Sequence, residues 1–352
     1  MKHRFAWKLC AVSLVMAGLS LAAAQEVRWT MVTSWPSSLN FHLLAEEFAE
    51  KVEAMSGGRM VIDVEPAGAI VGALEVLDAA DSGIVEMAHS WPGYWLGRNE
   101  AAPFFASIPM SLEAPMYIAW FYDGGGLELF NRMYQEEMGL NVLVKPVGIY
   151  HPETFAWSNR ELRTIEDFEG LRFRTVGWWA DILREAGVAV VSLPGGEIYP
   201  SLERGVIDAA EFSTPWADRT LSFYEVTNFF TGPGMHQPAI VNELIINRSA
   251  WENLPADLQA IVTVAAQATT ISAWSRDIVE SMAAIAYFEE QGVERVVVDA
   301  DAQHEFREIA FAYLDGLAER DPFFAEVWDS VQEFYSAFID YESLMVPVRP
   351  SR

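Results

Sequence analysis

The sequence has 352 residues, of which 51% are hydrophobic and 21% are charged. That length and composition are typical of a globular protein of about two domains and exclude a disordered or fibrous chain. Its 23 Lys and Arg residues against 50 Asp and Glu residues give a formal net charge of −27. So acidic a surface repels phosphate backbones and argues against a nucleic-acid partner. The single cysteine, Cys10, excludes a disulfide framework and multi-thiolate metal sites.

The N-terminal segment 1–24 predicts a secretory signal peptide. Lys2, Arg4 and Lys8 form a positive start, an apolar run covers residues 9–21, and three alanines then offer the small residues that a signal peptidase reads. The apolar run is short for a membrane span, although an N-terminal anchor is the alternative. We therefore expect an exported, periplasmic protein that is soluble after cleavage.

Strand and helix patterns alternate along the rest of the chain. Alternating apolar residues predict strands at 27–32, 60–64, 85–88, 142–144, 171–176, 188–193 and 206–210. Apolar residues at helical spacing predict helices at 39–55, 74–80, 178–186 and 198–204. This order favours α/β sheets over a sandwich. Two α/β halves joined by crossing strands place a ligand cleft between them.

The C-terminal third is predicted to be mostly helical, over 255–291 and 304–341. In its last helix an apolar seam with spacings of three and four residues is formed by Phe324, Val327, Val331, Phe334 and Phe338. Two interpretations remain open for this seam. It packs on the helix's own domain, or it is a dimerisation helix that docks on a second subunit.

The sequence carries no strong enzyme signature. It lacks a Gly-x-Ser-x-Gly elbow, a His-Glu-x-x-His motif and a phosphate-binding glycine loop after a strand. A binding protein is therefore the first hypothesis. The second is an exported enzyme that acts on a small carboxylate with Glu153, Glu211 or His151 as acid or base.

Two charged residues lie at the ends of predicted strands. Arg174 ends the strand that precedes Gly177, where its guanidinium can grip a carboxylate or simply face solvent. Glu211 follows the apolar segment 206–210, so its carboxylate either projects into a buried site that needs a cation or donors, or lies in an exposed loop. Candidates for lining a ligand cleft, each of which is singly more often a core residue, are Tyr94, Trp95, Trp157, Trp178, Trp179 and Trp216.

These residues lie inside stretches that resemble the extracytoplasmic solute-binding proteins of tripartite ATP-independent periplasmic (TRAP) transporters. The most specific stretch runs from Leu-Pro-Gly-Gly-Glu-Ile-Tyr at 193–199 to Gly-Val-Ile-Asp-Ala-Ala-Glu at 205–211. Further matching stretches are 55–59, 66–68, 75–79, 94–95, 104–105, 108–109, 167–174 and 247–255. The resemblance covers nearly the whole mature chain. It implies a periplasmic-binding-protein-like fold of two α/β domains around a central cleft, with a helical C-terminal region, and delivery of the ligand to a membrane permease.

The resemblance also implies a division of the chain into domains. The expected segments are the signal peptide 1–24, α/β domain I 25–148, α/β domain II 149–236, a return to domain I with hinge-crossing helices 237–300, and a C-terminal helical segment 301–352.

Within that family the chain looks like the branch that binds 2-oxo acids, such as pyruvate, or lactate together with a metal ion. The resemblance implies that Arg174 grips the ligand carboxylate. It also implies that a Glu-Trp pair, here Glu211-Phe212, supplies a side-chain and a backbone oxygen to calcium or sodium. The aromatic wall around the ligand is expected from Tyr94, Trp95, Trp178 and Trp216.

Two departures from the branch's pattern concern the metal. The branch usually has a glutamate where this chain has Gln237, and a glutamine where this chain has Glu153. If both side chains face the cleft, the number of carboxylates is unchanged, and a cation with oxygen ligands remains compatible with the site. The alternative is that neither residue touches a metal, because Phe155-Ala156 in place of the family's Gly-Gly has reshaped the pocket.

Overall fold

A computed structural model describes residues 27–347, so the predicted signal peptide lies outside the described residues. The strands are β1 (Val27–Thr33), β2 (Met60–Glu65), β3 (Met87–Ser90), β4 (Val142–Tyr150), β5 (Ala156–Ser158), β6 (Arg172–Arg174), β7 (Ala189–Val191), β8 (Ala209–Ala210), β9 (Phe229–Gly232), β10 (Ile240–Asn247) and β11 (Glu294–Val297). The helices are α1 (Asn40–Ser56), α2 (Val76–Asp81), α3 (Ala114–Asp123), α4 (Gly126–Arg132), α5 (Gly177–Glu185), α6 (Ile198–Glu203), α7 (Pro215–Thr220), α8 (Arg248–Asn253), α9 (Ala256–Glu290), α10 (Ala300–Ala318) and α11 (Pro322–Met345).

Two mixed sheets organise the described chain. The first has the order β2-β1-β3-β10-β4, and the second has the order β11-β9-β5-β8-β6-β7. In the first, β1 pairs in parallel with β2 and β3, while β10 runs antiparallel to β3 and β4. The predicted α/β class with two halves and a helical C-terminal region is confirmed.

The chain moves from the first sheet to the second between β4 and β5 and returns at β10. β11 then pairs with β9 in the second sheet, so the segment that was expected to return to domain I also adds an edge strand to the other half. The 35-residue helix α9, about 52 Å long at 1.5 Å per residue, packs on β4 and α1 and also on α7 and β11. It therefore spans both halves. The exact domain boundaries stay a prediction.

Two predicted elements differ in extent. β4 continues beyond the expected end at 144 because it is an edge strand of its sheet, where Pro146 removes no needed hydrogen bond. The stretch 304–341, predicted to be mostly helical, consists of two helices, since Asp321 caps the second by accepting hydrogen bonds from the backbone N–H groups of Phe323 and Phe324. Pro322 then occupies its first turn.

The seam of the last helix begins within the chain's own core. Phe324, Val327 and Val331 are fully buried there, whereas Phe334 and Phe338 are half-buried. The interpretation that this seam packs on its own domain therefore holds for its first half. Between residues 27 and 347, no helix combines the length and the apolar character needed to cross a membrane.

Candidate functional site

A cavity of about 280 Å³, part of which opens to solvent, lies between the two sheets. It is lined by Trp35, Phe41, Trp91, Tyr94, Glu153, Arg174, Val176, Phe212, Gln237, Ile240 and Asn242. Most of these residues follow the carboxyl ends of β1, β3, β4, β6 and β8. Small ligands usually bind at that edge of an open α/β sheet.

Arg174, at the end of β6, is 1% exposed. Its Nε and Nη2 donate to the carbonyl oxygen of Leu193 at 3.0 and 2.8 Å, and its Nη1 donates to the carbonyl oxygen of Glu211 at 2.7 Å. Nη1 also lies 3.2 Å from Glu211 Oε1. These contacts use most of the five N–H groups of the guanidinium. The guanidinium is therefore held in a fixed position at the wall of the cavity.

Glu211 directly follows β8, and its side chain is fully buried. Burial raises the pKa of this carboxyl, but Arg174 and His236 outweigh that effect and hold the pKa below its ordinary value. The carboxyl is therefore ionised. Its Oε2 has no hydrogen-bond partner among residues 27–347. His236 Nε2 lies 3.9 Å from this oxygen. A buried, ionised oxygen without a hydrogen bond is costly, so this atom marks a place for a cation or a donor.

Glu153 lies in the loop between β4 and β5. Its backbone N–H donates to the Gln237 carbonyl at 3.1 Å, and its Oε2 lies 3.2 Å from His236 Nε2. Burial raises the pKa of Glu153 well above its ordinary value, and the Glu211 carboxylate raises it further. The neighbouring loop approaches so closely that a Cβ at Gly234 would lie 2.0 Å from the Glu153 carbonyl oxygen. Only glycine permits this approach.

The side chains of Glu153, Glu211 and His236 form a cluster in which one potential ligand atom of each lies within 4.8 Å of the others. Gln237 lines the same cavity, and its buried Oε1 has no hydrogen-bond partner in the described part of the chain. Carboxylate and amide oxygens are the ligands that hard cations prefer. The residues present therefore fit a cation held by Glu211, Gln237 and Glu153.

Asp218 adds a third buried carboxyl near this cluster. Its Oδ2 accepts a hydrogen bond from Trp157 Nε1 at 2.7 Å, and its Oδ1 has no partner among the described residues. Burial raises the pKa of Asp218 well above its ordinary value, and the charge of Glu211 acts in the same direction. Three buried carboxyl groups thus lie near one buried arginine, which is an arrangement that a bound cation stabilises.

The structure brings together Arg174, Glu153, Glu211, Phe212 and Gln237 as expected from the sequence, and Tyr94 lines the same cavity. Burial raises the pKa of Tyr94 to about 12, so its hydroxyl stays protonated.

Three other aromatic residues expected at the ligand lie outside the lining of this cavity. Trp95 donates its indole N–H to Glu243 Oε1 at 2.7 Å in the core. Trp178 donates to the Glu100 carbonyl at 3.0 Å. Trp216 lies half-buried in α7. Their contacts are made with the protein itself, so we leave them out of the proposed ligand set.

Several lining residues were missed by sequence reasoning. Trp35, Phe41 and Trp91 supply the aromatic wall, and their positions after β1 and β3 were the available signal. His236 directly precedes Gln237 in the sequence but was given no role. Asn242 carried no signal, because it lies in a continuous buried strand whose pattern does not tell the faces apart.

Two α/β halves connected by crossing segments, with a fixed arginine in the wall of the cavity between them and an acidic cluster beside it, define a two-domain solute-binding protein. Residues 31–321 match the model of the DctP family, described as bacterial extracellular solute-binding protein, family 7. The chain belongs to this family and is a TRAP-type solute-binding protein, which confirms the resemblance seen in its motifs.

Relatives of known specificity share most of the chain. A monocarboxylate 2-oxoacid-binding periplasmic protein of Nostoc sp. is 33% identical over 322 residues, covering 92% of this chain and 86% of that protein. A TRAP periplasmic solute-binding protein of Colwellia psychrerythraea with bound calcium and pyruvate has a TM-score of 0.86 and 27% identity, covering 91% of this chain and 98% of that one. A homologue from Pseudoalteromonas atlantica with bound sodium and pyruvate also has a TM-score of 0.86 and 27% identity, covering 91% and 97%.

Proposed function

We propose that this protein captures a small monocarboxylate, a 2-oxo acid such as pyruvate or the related lactate, for a TRAP permease. The observation that carries the proposal is the fixed, buried Arg174 guanidinium in the wall of a cavity that is also lined by Glu153, a member of the acidic cluster. A buried, fixed guanidinium favours ligands that carry a carboxylate, because its N–H groups match the geometry of the two carboxylate oxygens. The specificities of the relatives from Nostoc and Colwellia support the same ligand class.

The proposed ligand set includes calcium or sodium. Glu211, Gln237 and Glu153 would hold the ion through side-chain oxygens, and the backbone carbonyl of Phe212 is the expected fourth protein ligand. When bound, the ion supplies positive charge to the ligand's carboxylate and 2-oxo oxygens. The exchange of Gln and Glu relative to the family's pattern is compatible with this site, because Glu153 and Gln237 lie side by side and share a backbone hydrogen bond.

Release of the ligand unchanged is part of the proposal, against an exported enzyme. His151, a candidate base for the enzyme, lies 3.1 Å from Asp277 Oδ2 and stacks on Trp274 rather than lining the cavity. Glu153 and Glu211 are explained as cation ligands. Turnover of pyruvate or lactate by the purified protein would favour the enzyme instead.

We further propose a periplasmic location after removal of residues 1–24 and a membrane permease as partner. The basic and apolar pattern of the first residues supports export. The mature protein should appear in the periplasmic fraction with the mass of a chain that begins at Gln25. An uncleaved chain in the membrane fraction would favour the N-terminal anchor.

A homodimer through α11 is the proposed assembly. The end of this helix carries an exposed apolar face, with Tyr341, Leu344 and Met345 at 60%, 83% and 59% exposure. Exposed apolar helix faces are typical of subunit contacts. Light scattering at micromolar concentration should give a dimer mass, and Leu344→Asp should shift it towards the monomer while Glu333→Gln does not. A monomeric wild type would refute the dimer.

Thermal stabilisation and calorimetry with pyruvate and lactate test the proposed ligand class. The additions are made with calcium, with sodium and after chelator treatment, and the ligand is quantified afterwards. Stabilisation that requires the cation, with the ligand recovered unchanged, is the expected result. Binding that survives complete chelation would remove the metal from the proposal, and a failure of both acids to bind would remove the ligand class.

A further inference from the structure

Asn242 is a buried polar residue of the cavity wall for which the site offers no protein partner. It lies in β10 and lines the same cavity as Arg174 and Glu153. The residue is fully buried, and neither Nδ2 nor Oδ1 has a hydrogen-bond partner among residues 27–347. Buried amides are normally paired, because burial removes their hydrogen bonds to water. An unpaired amide in a ligand cavity indicates a polar group that arrives with the ligand.

The backbone around Asn242 explains why its side chain faces the cavity. Val241 pairs with Ile149 and Glu243 pairs with Pro146, so the extra residue of this irregularity belongs to β4 and Asn242 lies opposite it. Gly148, in the facing stretch of β4, has a φ of 89°, which side chains rarely permit. Bulges re-aim side chains and recur beside binding sites. Ile240, two residues earlier on the same face of the strand, lines the cavity as well.

Tyr150 provides a second group that orients the amide. Its hydroxyl is buried and, among the residues described, unpaired. Burial raises the pKa of Tyr150 well above its ordinary value, while the nearby Asn242 side chain opposes that shift. An amide that donates one Nδ2–H group to this hydroxyl keeps its other Nδ2–H group for the cavity.

We propose that Asn242 donates a hydrogen bond from Nδ2 to an oxygen of the bound carboxylate, and that this bond couples ligand binding to closure of the two halves. The inference rests on the proposed function. Arg174 approaches the ligand from the second sheet, whereas Asn242 belongs to the first. Closure around an empty cavity leaves the Asn242 amide without a hydrogen-bond partner, whereas closure around a ligand provides one. A ligand shifts a conformational equilibrium only through such differential contacts.

Asn242→Leu removes both polar groups at nearly constant size. We expect the Kd for pyruvate, measured by calorimetry with calcium present, to rise about tenfold or more. Without ligand, the variant should melt at the wild-type temperature or above it, because no amide is left unpaired. Small-angle scattering should show a smaller radius of gyration for the ligand-free variant, because its empty closed form is no longer penalised.

Two further variants separate this role from a structural one. Asn242→Asp places an acceptor against the ligand's own oxygens, so it should bind pyruvate more weakly than Asn242→Leu does. Asn159→Leu makes the same change outside the cavity, where Nδ2 donates to the Val226 carbonyl, and should bind normally. A merely structural Asn242 would show a lower melting temperature of ligand-free Asn242→Leu.

Pyruvate affinity of Asn242→Leu within twofold of wild type overturns this inference and leaves the proposed function intact. A wild type that binds neither 2-oxo nor 2-hydroxy acids overturns both.

Discussion

Replacement of Arg174 is the sharpest test of the site, because the same strand supplies a matched control. Arg174 is buried and pairs with Glu211 at 3.2 Å, whereas Arg172, two residues away in β6, is exposed and pairs with Asp208 at 2.7 Å. Removal of one partner of a buried pair leaves the other charge unpaired and costs about 3–5 kcal/mol. Exposed pairs contribute little. Arg174→Ala should therefore lower the free energy of unfolding strongly, and Arg172→Ala should not.

Arg174→Lys separates charge from geometry at this position. Lysine keeps a positive charge beside Glu211, but its three N–H groups cannot serve the Leu193 carbonyl, Glu211 and a ligand together. Loss of a charged hydrogen bond at a buried site costs about 2–5 kcal/mol, so pyruvate affinity should fall about thirtyfold or more. Calorimetry measures this once a melting curve shows that the variant is folded. Wild-type affinity in Arg174→Lys would refute the reasoning.

Three further predictions concern the proposed cation site, the close approach of Gly234 to Glu153, and the buried carboxyl of Glu243. Glu153→Gln should weaken calcium binding in calorimetry. Adding Gln237→Glu to this variant should restore calcium binding, because the second substitution returns the lost carboxylate. A double variant that binds calcium no better than Glu153→Gln contradicts a shared site. Gly234→Ala should abolish ligand-induced stabilisation, since its Cβ would lie 2.0 Å from the Glu153 carbonyl oxygen, while Gly196→Ala, with a nearest contact of 3.4 Å, should behave as wild type. Glu243→Gln should raise the melting temperature near about pH 9 but hardly near about pH 5. Burial raises the pKa of Glu243 to about 8. The protonated carboxyl therefore stabilises the fold at low pH, and this stabilisation is lost as the pH rises through that value. Equal changes in melting temperature at both pH values would contradict this prediction.

The first sheet shows how much of the secondary structure can be predicted from the hydrophobic periodicity of the sequence. Strands at 27–32 and 60–64 and the helix between them were predicted, because one-sided burial imposes a period on the sequence. The predicted strand at 206–210 is only Ala209–Ala210 in the structure. The length of a short central strand depends on the strands that pair with it, and the local sequence pattern carries no information about those partners.

The sequence by itself determined the α/β class and the family. It also identified the charged and amide residues that were candidates for the site, namely Arg174, Glu211, Glu153 and Gln237. Residue type and order along the chain are local properties, and motifs preserve them. Only the tertiary structure decided that Trp95 and Trp178 serve the core while Trp35 and Trp91 line the cavity.

The tertiary structure also decided the electrostatics of the site. Burial raises the pKa of Glu153, and Arg174 with His236 lowers that of Glu211. These opposite shifts depend on residues up to 65 positions apart in the chain, such as Asp218 and Glu153. Distances of this kind exist only after folding, because a side chain's burial and its charged neighbours are set by packing between elements that are remote in sequence.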